Sequence, residues 1–298
     1  MHTIQSAAEK TGLTPDVIRV WERRYKAVSP HRTPSNQRLY SDAEINRLNL
    51  LRQLTEQGRR ISAIANLRDD QLQELAGQQS PSLEPVASKN SVRDLTDAAV
   101  EATLQLDPQA LQSILERSMV QLGSVGFMMR FASPLLETIG ELWRSGAVRT
   151  CQEHFASAHL RSFLGRHMLD ANTDPNGPRI VVATLPGQAH ELGATMAAVV
   201  AAQGGWNVIY LGPSVPIEEI AFSADCKDAR AVAISLSYPI GDPRVPYLLQ
   251  DLRAKLPDEC RLLVGGAAAA GHQTLIHQLG AWRAEDLARL AEHLDSLR

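Results

Sequence analysis

The spacing of apolar residues changes character along the chain, and each change predicts a different kind of element. Gln5 to Thr11 and Pro15 to Tyr25 carry a helical period and are separated by a turn at Gly12-Leu13-Thr14. Thr14 before Pro15 has the form of an N-cap followed by proline at the first helical position, where the missing N–H is not needed. The second helix turns Val17, Ile18 and Trp21 inward and leaves Arg19, Arg23, Arg24 and Tyr25 for exposed faces. Pro30 to Tyr40 has no period: it is polar, holds two prolines and two arginines, and ends in Leu39 and Tyr40, which are expected to anchor it to a core. Ser41-Asp42-Ala43-Glu44 then forms a capping box that opens an amphipathic helix through Ile45, Leu48, Leu51 and Leu54.

Gly77 to Ser91 has no periodicity and is rich in Ser, Gln and Pro, the composition of a linker. No long heptad precedes it, so dimerisation through an extended coiled coil is not expected. Four helical stretches follow, at about 92–105, 107–121, 125–145 and 149–170, and predict a four-helix bundle. Asp107-Pro108 and Ser133-Pro134 mark helix starts or kinks within it. From Arg179 onward apolar β-branched runs alternate with helices: Ile180 to Leu185, Asn207 to Leu211, Val232 to Ser237, Leu262 to Val264, a stub at Ala281-Trp282 and a closing helix from Glu285 to Leu297. This order predicts a flavodoxin-like (Rossmann-type) parallel sheet. The chain therefore reads as multidomain, α and then α/β, with divisions at 1–76, 77–91, 92–172 and 178–298.

Composition changes this picture in three places. No apolar run approaches the roughly 18 residues of a membrane span, and the start of the chain lacks a signal peptide's basic and apolar regions, so the expected place is the cytoplasm. Cys151, Cys226 and Cys260 are odd in number and scattered, which argues against a disulfide frame or a thiolate zinc site. The net charge of -3 hides an asymmetry: residues 1–78 hold 12 Lys and Arg against 9 Asp and Glu, leaving 18 against 24 for the rest. A basic head on an acidic body points to a polyanion as the head's partner.

Candidate chemistry concentrates after the first sheet strand. Pro186-Gly187 cannot continue a ladder, and the loop delivers His190 and Gly193 before a small-residue helix begins at Ala194. An imidazole is thereby held beyond the carboxyl end of a strand, where open α/β sheets bind ligands. Taken alone, the stretch fits an ordinary polar loop histidine equally well. Gln188-Ala-His190-Glu-Leu-Gly193 resembles the D/E-x-H-x-x-G motif of cobalamin-binding domains. That resemblance makes His190 the lower axial ligand to cobalt, has Gly193 let the backbone approach the corrin, and implies that Ser235, Leu236, Ser237, Gly265 and Gly266 line the slot for the nucleotide tail. Gln188 stands where the motif has a carboxylate that orients the imidazole. An amide does this less strongly, and Gln188→Glu is expected to tighten retention by about 10-fold.

The head has a resemblance of its own. Trp21-Glu-Arg-Arg-Tyr25, the Arg32-to-Tyr40 loop and the capped third helix resemble the MerR-type winged helix-turn-helix over residues 1 to about 70. The resemblance implies that Arg19, Arg23, Arg24, Tyr25, Arg32, Arg38 and Tyr40 contact double-stranded operator DNA, mostly at phosphate. Ser35-Asn36 at the wing tip replaces a frequent Gly-Gly. In the bundle, Trp143, nine residues, then Glu153-His154 is the spacing of CarH/LitR-type cobalamin-dependent regulators. There these residues cover the upper face of the corrin and its adenosyl group.

The whole arrangement is identified as a member of that family: a non-enzymatic repressor holding adenosylcobalamin, or methylcobalamin, between bundle and sheet. It would bind DNA as a dimer or tetramer and release it on loss of the upper ligand to light. A regulator without light sensing or acting through partner proteins, and a corrinoid methyl-transfer module, are the alternatives. Against the second, which would require a methyl-donor or thiol-activating domain, the chain offers neither clustered Cys and His nor spare length. Light-responsive members typically carry His after the motif Trp, where this chain has Arg144.

Overall fold

In the computed structural model, which describes all residues except 34–36, 57–58, 60, 78–91, 172–175 and 239, the chain forms two compact units, Met1–His159 and Leu160–Arg298. Gly77, the first residue of the expected linker, closes the preceding helix, while residues 78–91 and the Ser35-Asn36 wing tip fall outside the described residues.

Local caps organise the start of the first unit. The Thr3 hydroxyl accepts from the Ser6 amide to open α1 (Ile4–Thr11), and Thr14 accepts from the Val17 amide at 3.3 Å to open α2 (Pro15–Tyr25). Three short strands, β1 (His2–Thr3), β2 (His31–Arg32) and β3 (Arg38–Tyr40), pair antiparallel in the order β1-β3-β2. A two-residue β1 carries no period, so it was not legible beforehand. The capping box forms as expected: Glu44 accepts from the Ser41 amide at 2.8 Å while the Ser41 hydroxyl accepts from the Glu44 amide, opening α3 (Asp42–Glu56). The short helices α4 (Ile61–Ile64) and α5 (Asp69–Gly77) complete a core of Ile18, Trp21, Tyr40, Leu48, Leu51, Leu54 and Leu72. Arg47 staples this region by donating to the Ala27, Ala65 and Leu67 carbonyls.

The four helical stretches of the middle region are α6 (Val92–Leu104), α7 (Pro108–Phe127), α8 (Ser133–Arg144) and α9 (Thr150–Ala171), the last continuing into the second unit. They break differently from the expected 125–145 helix. The backbone leaves helical geometry at Gly123 (φ 67°), and Met128–Ala132 winds as a π-helix before α8. Pro134 in the first turn of α8 has no N–H to close the ladder onto the preceding turn, and the wider π turn absorbs the mismatch.

In the second unit β4 (Arg179–Ala183), β5 (Asn207–Gly212), β6 (Ala231–Ser235), β7 (Arg261–Gly265) and β8 (Trp282–Arg283) form a parallel sheet in the order β5-β4-β6-β7-β8. This is the flavodoxin-like order, with the switch point between β4 and β6. Period-two alternation divides β4: Val181 and Ala183 pack towards α11 (Ile217–Cys226) and α12 (Val245–Lys255), Ile180 and Val182 towards α10 (Leu192–Gln203) and α14 (Leu287–Ser296). A short α13 (Gln273–Gln278) precedes β8. All three cysteines are free thiols, and no helix among the described residues is long and apolar enough to cross a membrane.

A polar bracket fixes the start of α10 to β5. Tyr210 donates to the Glu191 carboxylate at 2.8 Å, Thr195 Oγ1 lies 2.9 Å from the same hydroxyl, and Arg161 Nε reaches Glu191 at 2.6 Å. Burial, reinforced by Glu191, pushes the Tyr210 hydroxyl up to about 12. The fold thus favours the neutral phenol, so its contribution is complete below about pH 10 and is lost as pH rises towards 12. Tyr210→Phe is expected to flatten the alkaline fall in urea-denaturation midpoint between pH 10 and 12; an unchanged slope would contradict the bracket.

Candidate functional site

At the switch point a buried hydroxyl shapes the loop after β4. Thr184 accepts from the Ser214 amide at 2.8 Å and donates to the Gln188 carbonyl, while the Gly187 amide donates to Ser214 Oγ at 2.9 Å. These bonds turn the chain at Pro186-Gly187 and bring His190 to the surface. Its ring meets Tyr238 edge-on, with centroids 5.3 Å apart. Thr184 and Tyr238 are site residues that sequence reading missed. A threonine at a strand end is unremarkable until its partner from the β5 loop is known.

Gln188 does not take the position of a solvated loop amide. It is 2% exposed, its Nε2 lies 3.4 Å from Asp242 Oδ2, and its Oε1 is buried without a hydrogen-bond partner. Asp242 is in turn gripped by Arg244 through Nε and the backbone amide at 3.0 Å and a terminal nitrogen at 2.8 Å. Those bonds hold the Asp242 carboxyl down at about 2.

The small residues after β6 and β7 make close approaches. A Cβ on Gly193 would stand 2.7 Å from Ser235 Oγ and 3.3 Å from Ser237 Oγ, so only glycine lets α10 begin against that hydroxyl pair. Gly266 has φ 96° and a Cβ there would lie 2.4 Å from the Leu236 carbonyl oxygen. Leu236 has a fully buried side chain, and its backbone bonds Gly265 and Ala268. A Cβ on Gly265 would press on Ala284 at 3.1 Å. His190, Gly193 and the two serines thus gather at the end of β4 and β6, with Gly265 and Gly266 beside them at the end of β7.

In the first unit the turn after α8 brings Trp143 back to the start of α9. The indole, 48% exposed, donates to Thr150 Oγ1 at 3.2 Å. Glu153 pairs with His154 Nδ1 at 2.5 Å and accepts from Ser157 at 2.7 Å. Arg144 donates from Nε to the Gly140 carbonyl.

The head presents its basic residues around one carboxylate. Glu22 accepts from Arg38 Nε at 2.7 Å, from the Tyr40 hydroxyl at 3.2 Å and from Arg32 at 3.4 Å, tying the wing strands to α2. Arg19 and Arg23 are exposed on α2 and Tyr25 is half-buried, while the side chain of Arg24 lies outside the described residues. Tyr40 corrects its assignment as a DNA contact. It is fully buried, and burial together with Glu22 raises its hydroxyl well above the ordinary range, so it serves the core. Glu22 was missed because a glutamate between tryptophan and arginine reads as a solvated face.

Residues 2–71 match the MerR HTH family regulatory protein model and residues 178–290 the B12 binding domain model. The HTH-type transcriptional repressor CarH of Myxococcus xanthus is 29% identical over 280 residues, covering 93% of each chain. CarA of the same organism, also an HTH-type transcriptional repressor, is 28% identical over 99% of this chain and 96% of its own. Among solved structures, the monomethylamine corrinoid protein of Methanosarcina barkeri superposes on 70% of this chain and 100% of its own with a TM-score of 0.56 at 14% identity, a likeness of fold. With a MerR-type head, a B12-binding domain at the other end and similarity to two such repressors along nearly its whole length, this chain is a cobalamin-binding, MerR-type transcriptional regulator related to CarH and CarA.

Proposed function

We propose that the protein is a light-responsive repressor that binds operator DNA as an oligomer while it holds adenosylcobalamin, and lets go when the upper ligand is lost. On this reading residues 1–76 read DNA, 92–172 cap the cofactor and 178–298 bind it, and His190 is the residue that would ligate its cobalt. The observation that carries it is the exposed His190 at the switch point, beside Gly193, Ser235 and Ser237.

The residues fit the group. A corrin brings four nitrogens of its own, so the protein need add only one donor. Among the described residues no cluster of three or more His, Cys, Asp or Glu gathers to hold a bare ion. The Gln188 Oε1, buried without a hydrogen-bond partner, could accept a ring N–H from a ligating imidazole. Trp143 offers a flat apolar face, and Glu153 and His154 offer hydrogen bonds to sugar and base. When bound, the cofactor supplies a light-labile cobalt–carbon bond. The chain supplies orientation and surfaces whose assembly places several heads on one operator.

DNA binding is tested through its salt dependence. Arg19→Ala or Arg23→Ala, both exposed on α2, is expected to weaken binding across sequences and lower the slope of log K against log salt by about one. An unchanged slope for both variants contradicts the α2 face as the DNA surface.

His190→Ala is expected to keep the fold and lose cofactor on dialysis. The cobalt(II) form of the wild type should show nitrogen superhyperfine coupling from the protein in its paramagnetic resonance spectrum; its absence rules out ligation by His190.

Arg144 sets the outcome of illumination. A guanidinium has no free lone pair to give a metal, so the residue after Trp143 cannot capture exposed cobalt. Light is expected to dissociate the oligomer from DNA and to leave the illuminated cofactor exchangeable. Dialysis in darkness against fresh adenosylcobalamin should then restore the spectrum, mass and operator binding. A permanent bis-imidazole spectrum refutes this.

A further inference from the structure

The departure from the motif at Gln188 is answered elsewhere in the fold. An ionised carboxylate only accepts hydrogen bonds, so Asp242 must face the amide NH2 of Gln188, and that choice leaves Oε1 as the remaining polar atom. Oε1 is buried and has no donor. The nearest purpose for a buried, locked acceptor two residues before His190 is the imidazole itself, since burying an amide oxygen without a donor costs about 1–3 kcal/mol. Asp242 lies 54 positions away, on the loop after β6, so no local spacing announces it.

We propose that Asp242 is a positioning residue for His190: it locks the Gln188 amide so that Oε1 accepts the ring N–H, leaving the opposite ring nitrogen with its lone pair for cobalt. This rests on the reading that His190 is the lower ligand. Arg244 completes the arrangement by holding Asp242 at three points. The carboxylate that the motif places next to the imidazole has moved one residue further out and is paired with a guanidinium.

One consequence reverses the expectation drawn from the motif alone. Gln188→Glu by itself sets a second carboxylate against Asp242, where the amide stood 3.4 Å away. Like charges at that spacing do not both ionise readily, so the variant spoils the relay. A glutamate at 188 becomes useful only when Asp242 is neutral.

The test is a mutant cycle on the full chain, with adenosylcobalamin titrated in darkness and the His190 ring N–H followed by NMR in the loaded protein. Asp242→Asn and Gln188→Glu are each expected to weaken binding by about 10-fold or more, and Gln188→Glu with Asp242→Asn to recover it. The ring N–H proton should be protected from water exchange in the wild type and the double variant, and exchange freely in either single variant. If Asp242→Asn fails to fold, Gln188→Leu, which keeps the volume and removes the amide, should show the same loss of protection. Unchanged affinity and protection in the single variants, or tighter binding by Gln188→Glu alone, overturns the relay. Missing nitrogen coupling in wild-type cobalt(II) protein instead overturns the ligation beneath it, and separates that failure from this one.

Discussion

The second unit depends on one topological constraint: β4 and β6 are neighbours in the sheet but their chains leave in different directions. A gap therefore opens at their carboxyl ends, and whatever the two following loops carry must meet there. The Thr184 hydroxyl makes this gap a defined place rather than a frayed one. With no exposure to water, it must bond twice or carry a desolvation penalty, and its two partners come from opposite sides of the turn. Ser214 from the β5 loop and Gln188 from the β4 loop are thereby tied together, and the Gln188 amide in turn reaches Asp242 on the β6 loop. The bracket of Glu191, Tyr210 and Arg161 holds the same loop from the other flank.

Much of this was legible in the sequence, for a physical reason. Buried parallel strands need continuous apolar runs, and a Pro-Gly pair ends one visibly, so β4, its loop and His190 could be placed directly. Thr14-Pro15 and the Ser41-to-Glu44 box are local devices whose partners lie within four residues, and both formed as read. The interactions that escaped are those whose partners lie far apart: Glu22 with Arg38 and Tyr40, Thr184 with Ser214, Gln188 with Asp242. A polar residue in such a pair looks like any solvated one until topology brings the other half.

Tyr40 shows the same limit from another side. Its place at the end of the wing allowed two readings, an anchor and a phosphate contact, and its burial in the core with Ile18, Trp21 and Leu48 decides for the anchor. Those core partners lie on other elements, so no local spacing announces them. The π turn before α8 is similar: Pro134 announces an irregularity, but whether it becomes a kink, a break or a wider turn depends on what the neighbouring helices accept.

The Glu22 cluster has a consequence for the DNA binding proposed for the head. Because Arg32 and Arg38 already sit on a carboxylate, reaching a phosphate would be an exchange of one anion for another and not the capture of an anion by a bare cation. On that proposal the head would gain less from a random stretch of duplex, and only a site where α2 also finds its contacts would give the exchange a net advantage. The wing would then trade adhesion for discrimination.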